Sequence, residues 1–224
     1  MAFILNIETA TTVCSVSISQ NDSLIAFKEI DNGYSHAENL HVFIKDLLTE
    51  ANLNPNDLNA IAVSKGPGSY TGLRIGVSAA KGLCYALNIP LISLNTLQVL
   101  TNSIENRKPN SYYCPMLDAR RMEVYTIVFD SDFNEVLLTE ALIVEEQNIE
   151  KYKKYPSIYF FGDGMPKCKD ILSHLTNASF IENIKPSAKN MINLSYEKLI
   201  TKQFEDVAYF EPFYLKDFMI VSKK

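Results

Sequence analysis

Two halves of this chain repeat one order of elements, and that repeat limits the fold more than any single motif does. Phe3–Ile7, Val13–Ile18 and Leu24–Ile30 read as strands, the third after a turn at Asn21-Asp22-Ser23. A helix follows. Ser35 and Glu38 have capping-box spacing, and Leu40, Phe43, Ile44, Leu47, Leu48 and Ala51 recur at helical spacing. Ala60–Val63 is a short strand, Thr71–Leu87 a helix and Pro90–Leu94 a strand, and a short helix starts near Asn95. Glu105–Asn110 is polar and holds Pro109, which marks a boundary. Strands then resume at Tyr112–Leu117, Val124–Phe129 and Val136–Val144. Ile158–Phe161, a helix after Pro166, a strand near Phe180 and a helix from Ser187 to about Gln203 complete the second half. That last helix presents Ala188, Met191, Ile192, Ser195 and Leu199 on one face. The first turns echo each other as well: Ile7-Glu8-Thr9-Ala10 closes one strand and Leu117-Asp118-Ala119-Arg120 another.

Three strands followed by alternating helices and strands, twice over, indicate an α/β chain with the duplicated ribonuclease-H-like two-lobe fold of the actin/Hsp70/sugar-kinase superfamily. The expected lobes are residues 1–108 and 109–224, with the last segment packing back on the first lobe. The 224 residues suffice for two lobes of about 100 each, and a hydrophobic share of 47% can fill their cores. No apolar run approaches the roughly 18 residues of a membrane span. The opening Met1-Ala2-Phe3-Ile4-Leu5-Asn6 lacks positive charge and reads as a strand, not a signal peptide. Cys14, Cys84, Cys114 and Cys168 are far apart and fit reduced, buried thiols in a cytoplasmic protein.

Charge limits the partners. The net charge is −5, shared evenly between the halves. A chain that binds tRNA alone needs a basic face, because phosphate neutralisation supplies most of the affinity. The small cluster Lys151, Lys153 and Lys154, interleaved with Tyr152 and Tyr155, reads as a solvated loop.

Ser64-Lys65-Gly66-Pro67-Gly68-Ser69-Tyr70-Thr71-Gly72-Leu73-Arg74-Ile75-Gly76 is the most informative stretch. A glycine-rich turn opening a helix can hold an anion. This one is neither a Walker A loop nor G-x-G-x-x-G, since Thr71 stands where the third glycine would be. A tight strand-to-helix turn is the simpler reading. The helix after it is apolar over about twice the arc that one contact needs. It is therefore either sandwiched inside its lobe or docked on another chain. Its Gly/Ala spacing by four lets helix backbones come close.

Glu8, Thr9 and Thr11 after the first strand, Asp118 at the matching place, and Gly162-Asp163-Gly164 lie in the order that Mg²⁺ and phosphate ligands take in kinase-like two-lobe folds. They read as a vestigial nucleotide site. His36 and His41 are five residues apart, which turns them away from each other on a helix, so no metal site is expected.

Together these segments resemble the TsaB family, the bacterial partner subunits of tRNA threonylcarbamoyladenosine synthesis, historically grouped with M22 glycoproteases. Ile4-Leu5-Asn6-Ile7-Glu8-Thr9-Ala10-Thr11 resembles its opening strand and turn, and Gly66 to Gly76 its most distinctive motif. Leu117-Asp118-Ala119-Arg120 with Glu123-Val124-Tyr125 resembles the start of its second lobe, and Pro212-Phe213-Tyr214-Leu215-Lys216 its tail. The resemblance implies a non-catalytic subunit that docks a longer catalytic paralogue, TsaD, through its first two helices, where Gly72, Gly76, Ala79 and Ala80 would permit close approach and Leu40, Phe43, Leu47 and Leu83 would supply area. It also implies work with a small ATPase, TsaE, on tRNAs that read codons beginning with A; whether the chain forms a homodimer when alone is left open by the sequence. Catalysis and ATP/Mg²⁺ are then expected in the partner subunits, with tRNA met only through the complex and no tightly bound cofactor here. The catalytic paralogue's His-x-Glu-Gly-His metal motif does not occur in this chain. The family's usual Asp after the first strand is Glu8 here, which loosens Mg²⁺-nucleotide geometry further. A small-metabolite kinase of the same superfamily is the competing reading, supported by Glu8, Asp118, Gly162 and Gly164.

Overall fold

The computed structural model describes residues 1–33 and 35–216. In the first half, β1 (Phe3–Glu8), β2 (Cys14–Gln20) and β3 (Ser23–Ile30) precede α1 (His36–Glu50), β4 (Leu58–Gly66), α2 (Tyr70–Leu87), β5 (Leu91–Asn95) and α3 (Thr96–Thr101). In the second, β6 (Tyr112–Asp118), β7 (Glu123–Phe129) and β8 (Glu135–Ile143) precede α4 (Glu146–Ile149), β9 (Ile158–Phe161), α5 (Lys169–Leu172), β10 (Ala178–Ile181) and α6 (Ile192–Ile200).

The two sheets have one topology. The first runs β3-β2-β1-β4-β5 and the second β8-β7-β6-β9-β10, read in the same direction. In each, the first three strands pair antiparallel and the last two join parallel. Alternation along the strands sends side chains to two faces. Leu5, Ile7, Val16, Ile61 and Val63 meet Leu40 and Leu47 of α1 and Val77 and Ala80 of α2. Ile4, Ala60, Ala62 and Ile92 on the other face meet Ala188 and Met191, from the 3-10 turn that opens α6. The first sheet is thus covered on both faces, one of them by the end of the chain.

α3 links the lobes. Its Leu97 and Leu100 pack among Tyr113, Leu117, Ile127 and Phe161 of the second sheet. The tail then crosses the first lobe. Glu205 N–H donates to Leu91 O at 2.9 Å, Lys81 Nζ to Phe210 O at 2.7 Å and Phe213 N–H to Lys65 O at 2.7 Å. Lys216 ends the crossing in an ion pair with Glu123 at the start of β7.

Four local expectations need correction. Ser35 does not build a capping box, because its backbone (φ −94°, ψ 21°) turns the hydroxyl to Asn32 instead. Its carbonyl accepts from the Glu38 and Asn39 N–H groups. After Pro166 there is only a 3-10 turn and the four residues of α5, and the final helix ends at Ile200. The segment from Glu146 to Tyr152 is a short α-helix running into a 3-10 turn that sequence periodicity missed. Tyr152 and Tyr155 are buried there, so the neighbouring lysines edge a packed turn: Lys151 pairs with Glu140 and Lys153 with Glu150.

Leu100 is fully buried where the lobes meet. Leu100→Ala should lower stability by about 3 kcal/mol, the usual scale for a core cavity, measured by urea unfolding.

Candidate functional site

The turn after β1 is where three elements converge on the first lobe's sheet. Thr9 Oγ1 donates to Gly72 O at 2.8 Å. Ser69 N–H donates to Ala10 O at 2.7 Å, and the Ser69 hydroxyl caps α2 by accepting from Gly72 N–H at 3.3 Å. His36, the first residue of α1, is buried with Nε2 2.8 Å from Thr11 O. Both helices are therefore pinned to three consecutive residues of one turn.

The glycines make this approach possible. A Cβ at Gly72 would collide with Thr9 O, at Gly68 with Ala10 O and at Gly76 with Thr9 Oγ1. The Gly66–Gly76 motif is thus a packing device that seats α2 on the β1 turn. This corrects the sequence-based placement of Gly72 and Gly76 on an outward surface. Ala80, Leu40 and Leu47 are fully buried in the same lobe, and Ala79 is 9% exposed. Of the eight residues expected to meet a partner, Phe43 and Leu83 are half-buried and the other six are buried.

The outward side of α2 is a different row, offset from the first. Arg74, Ser78, Gly82, Tyr85 and Ala86 are exposed, Tyr85 by 85%. A shallow groove lies between this row and α1, lined by Ala37, His41, Arg74, Ile75, Ser78 and Leu83 among others. Arg74 sits at its rim, its guanidinium 4.3 Å from the Tyr70 ring centre and its Nε donating to Tyr214 OH at 3.3 Å. Gly82, also on the lining, has nothing within 4 Å of where a Cβ would stand. A mid-helix glycine costs roughly 1 kcal/mol relative to alanine, and no contact within the described residues requires one at Gly82.

The residues expected at a nucleotide site are spread over both lobes and already engaged. Glu8 is fully buried. One carboxylate oxygen accepts from Ala10 N–H at 2.7 Å and the other from the Ser64 hydroxyl. Burial pushes its pKa up to about 7 despite those bonds. Thr9 serves α2, and Thr11 Oγ1 accepts from Val13 N–H at 3.3 Å. Asp118 is held by Lys167 and by Arg120 N–H. Gly162 and Gly164 lie so close to β6 that a Cβ would strike Met116 O or the Leu117 carbonyl carbon. Gly164 N–H donates to Met116 O at 2.9 Å. This arrangement does not fit a Mg²⁺-nucleotide: the carboxylate is enclosed and Gly164 N–H is turned into the sheet. The glycines that resemble a phosphate turn are explained by close backbone packing.

Other chemistry is limited. Among the described residues no group of three His, Cys, Asp or Glu is placed to hold a metal. His36 faces the β1 turn and His41 the groove. The four cysteines are buried, and burial pushes their thiols up to about 11 for Cys14 and Cys168 and about 12 for Cys84 and Cys114. No helix among the described residues is long and apolar enough to cross a membrane.

A family model described as TsaD, tRNA N6-adenosine threonylcarbamoyltransferase, matches residues 33–220. The tRNA threonylcarbamoyladenosine biosynthesis protein TsaB of Buchnera aphidicola subsp. Baizongia pistaciae is 30% identical over 222 residues, covering 96% of this chain and 98% of that one. TsaB of Escherichia coli (strain K12) is 28% identical over 220 residues, 96% of this chain and 94% of that one. The structure of YeaZ from Pseudomonas aeruginosa superposes with a TM-score of 0.83 at 22% identity, over 96% of this chain and all of that one. The last likeness concerns the fold, the duplicated two-lobe α/β architecture described above.

Two outcomes follow from these contacts. Gly72→Ala should cost about 3 kcal/mol, since backbone of the β1 turn must move, whereas Gly82→Ala should gain up to about 1 kcal/mol; chemical denaturation of both variants checks the contrast. Glu8 has a raised pKa in the fold, so the folded state holds a proton that the unfolded chain releases above the ordinary glutamate value of 4.5. Its contribution is fully present below that value and is lost as pH rises through about 7. Glu8→Gln should therefore become progressively more stable than the parent between those limits, by roughly 3 kcal/mol at the top, in melting curves recorded across that range.

Proposed function

The chain belongs to the TsaB family of tRNA threonylcarbamoyladenosine biosynthesis proteins, and we propose that it acts there as a non-catalytic subunit that docks a TsaD-type catalytic partner through the α1–α2 groove. The observation that carries this reading is Gly82. A glycine kept on the outward row of a helix, with open space where its Cβ would be, is explained by a second helix that crosses closely at that point. Ser78 beside it is small, Tyr85 on the same helix is 85% exposed, and Ile75 and Leu83 offer apolar flanks. Arg74 at the rim is a residue type enriched among interface anchors.

A non-catalytic role accords with the chemistry of these residues. Glu8 has no open side, the thiols are held protonated, and the net charge of −5 favours neither free tRNA nor a free polyphosphate. tRNA is met through the assembly, whose catalytic and ATP-using steps belong to TsaD-type and TsaE-type partners in the cytoplasm. The small-metabolite kinase reading is less well supported, since Glu8 is enclosed and Gly162 and Gly164 pack against β6, although Asp118, paired with Lys167, stays half exposed.

Gly82→Arg places bulk and an unpaired charge into the proposed contact, an error typically worth several kcal/mol. The variant should melt like the parent and lose capture of the purified TsaD-type subunit of the same organism. Retained capture with an unchanged melting curve would remove the groove from the interface.

A further inference from the structure

The second lobe carries an exposed feature that the groove does not use. β8 is the outermost strand of its sheet, nine residues long. Its inward side chains Leu137 and Leu142 join the second-lobe core, while Leu138 is 81% exposed, Ile143 51% and Val136 40%. Its backbone groups on the outer edge face no strand among the described residues. Sheet edges are usually blunted by lysine, proline, brevity or a covering element. β10 is short, at four residues, and β3 has α1 against it with Lys28 paired to Asp46. β8 contains no Lys, Pro or Gly. Its pairing with β7 shifts register twice around Val128, which bulges β8 between Glu135 and Glu140, and is regular from Glu140 to Ile143.

Charge selects what such an edge accepts. From Met122 to Glu150 there are eight Asp/Glu and no Lys or Arg. Lys151 reaches back to Glu140 and Lys216 to Glu123, while Glu150 meets Lys153 and Glu146 meets His174, which leaves Asp130, Asp132, Glu135 and Glu145 with no cation among the described ion pairs. A second copy pairing edge to edge would set these carboxylates against their own kind, which is unfavourable across strands. We propose that the outer edge of β8 is a second docking surface, taking an extended, lysine- or arginine-rich segment of a protein partner as an added strand. Main-chain hydrogen bonds would supply the pairing, Val136, Leu138 and Ile143 the apolar contacts, and the carboxylates the selection for cations.

The probe is a synthetic eight-residue peptide of alternating lysine and valine, with a glutamate-for-lysine peptide as control, added to the full chain. By fluorescence anisotropy the lysine peptide should bind and the control should not, and affinity should fall about tenfold or more between roughly 50 and 500 mM salt. Amide exchange across residues 135–143 should slow on binding. Leu138→Lys, at an exposed position, should keep the parent's melting curve and weaken binding by about tenfold. Equal binding of the two peptides, unchanged binding by the variant, or protection confined to β3 or the α1–α2 groove would overturn the proposal. So would a concentration-dependent dimer in sedimentation that Leu138→Lys abolishes, since the edge would then belong to a second copy.

Discussion

The contact between the β1 turn and the start of α2 sets the geometry of the first lobe. Thr9 and Ala10 lie against Gly68, Gly72 and Gly76 so closely that no side chain fits between them. The Thr9 hydroxyl and the Ala10 carbonyl bond the residues that open the helix. Because Thr11 O also meets His36, α1 and α2 take their positions from the same three residues. The groove between the helices, its small outward row and the rim residue Arg74 all follow from where that turn holds the two helices.

The same contact accounts for what the acidic residue after β1 does. In an open cleft a carboxylate at that place could bind a cation. Here Glu8 is enclosed by the sheet and receives Ala10 N–H and the Ser64 hydroxyl, so it braces the turn from beneath. The second lobe repeats the economy: Gly162 and Gly164 lie on β6, and Asp118 is tied to Lys167. Residues that resemble a nucleotide site by order are spent on holding two sheets and their helices in register.

Two outward surfaces then differ in chemistry. The α1–α2 groove is small-residue, partly apolar and rimmed by Arg74, a surface suited to close helix packing. The β8 edge is acidic, apolar at its exposed side chains and met by no further strand among the described residues. They lie on different lobes, joined by the α3 contact and by the tail that ends at Glu123.

The order and type of nearly every long element were legible in the sequence, because alternation in strands and helical spacing in α1 and α2 are local signals. The duplicated rhythm pointed to two sheets, and both have one strand order. The motif Gly66 to Gly76 was legible as a tight turn and as a sign of close approach. Which surface it approached was not. α2 carries two rows of small residues, Gly72-Gly76-Ala80 and Ser78-Gly82-Ala86, and helical spacing treats them alike. Only the position of Thr9, more than sixty residues away, decided that the first row is buried. The same holds for Glu8 and Tyr152, whose burial depends on strands and turns distant in the chain. The sequence by itself determined the elements, their repeat and the family resemblance. The tertiary structure decided which face of each element meets protein and which meets solvent, because burial is a property of long-range contacts that no local period encodes.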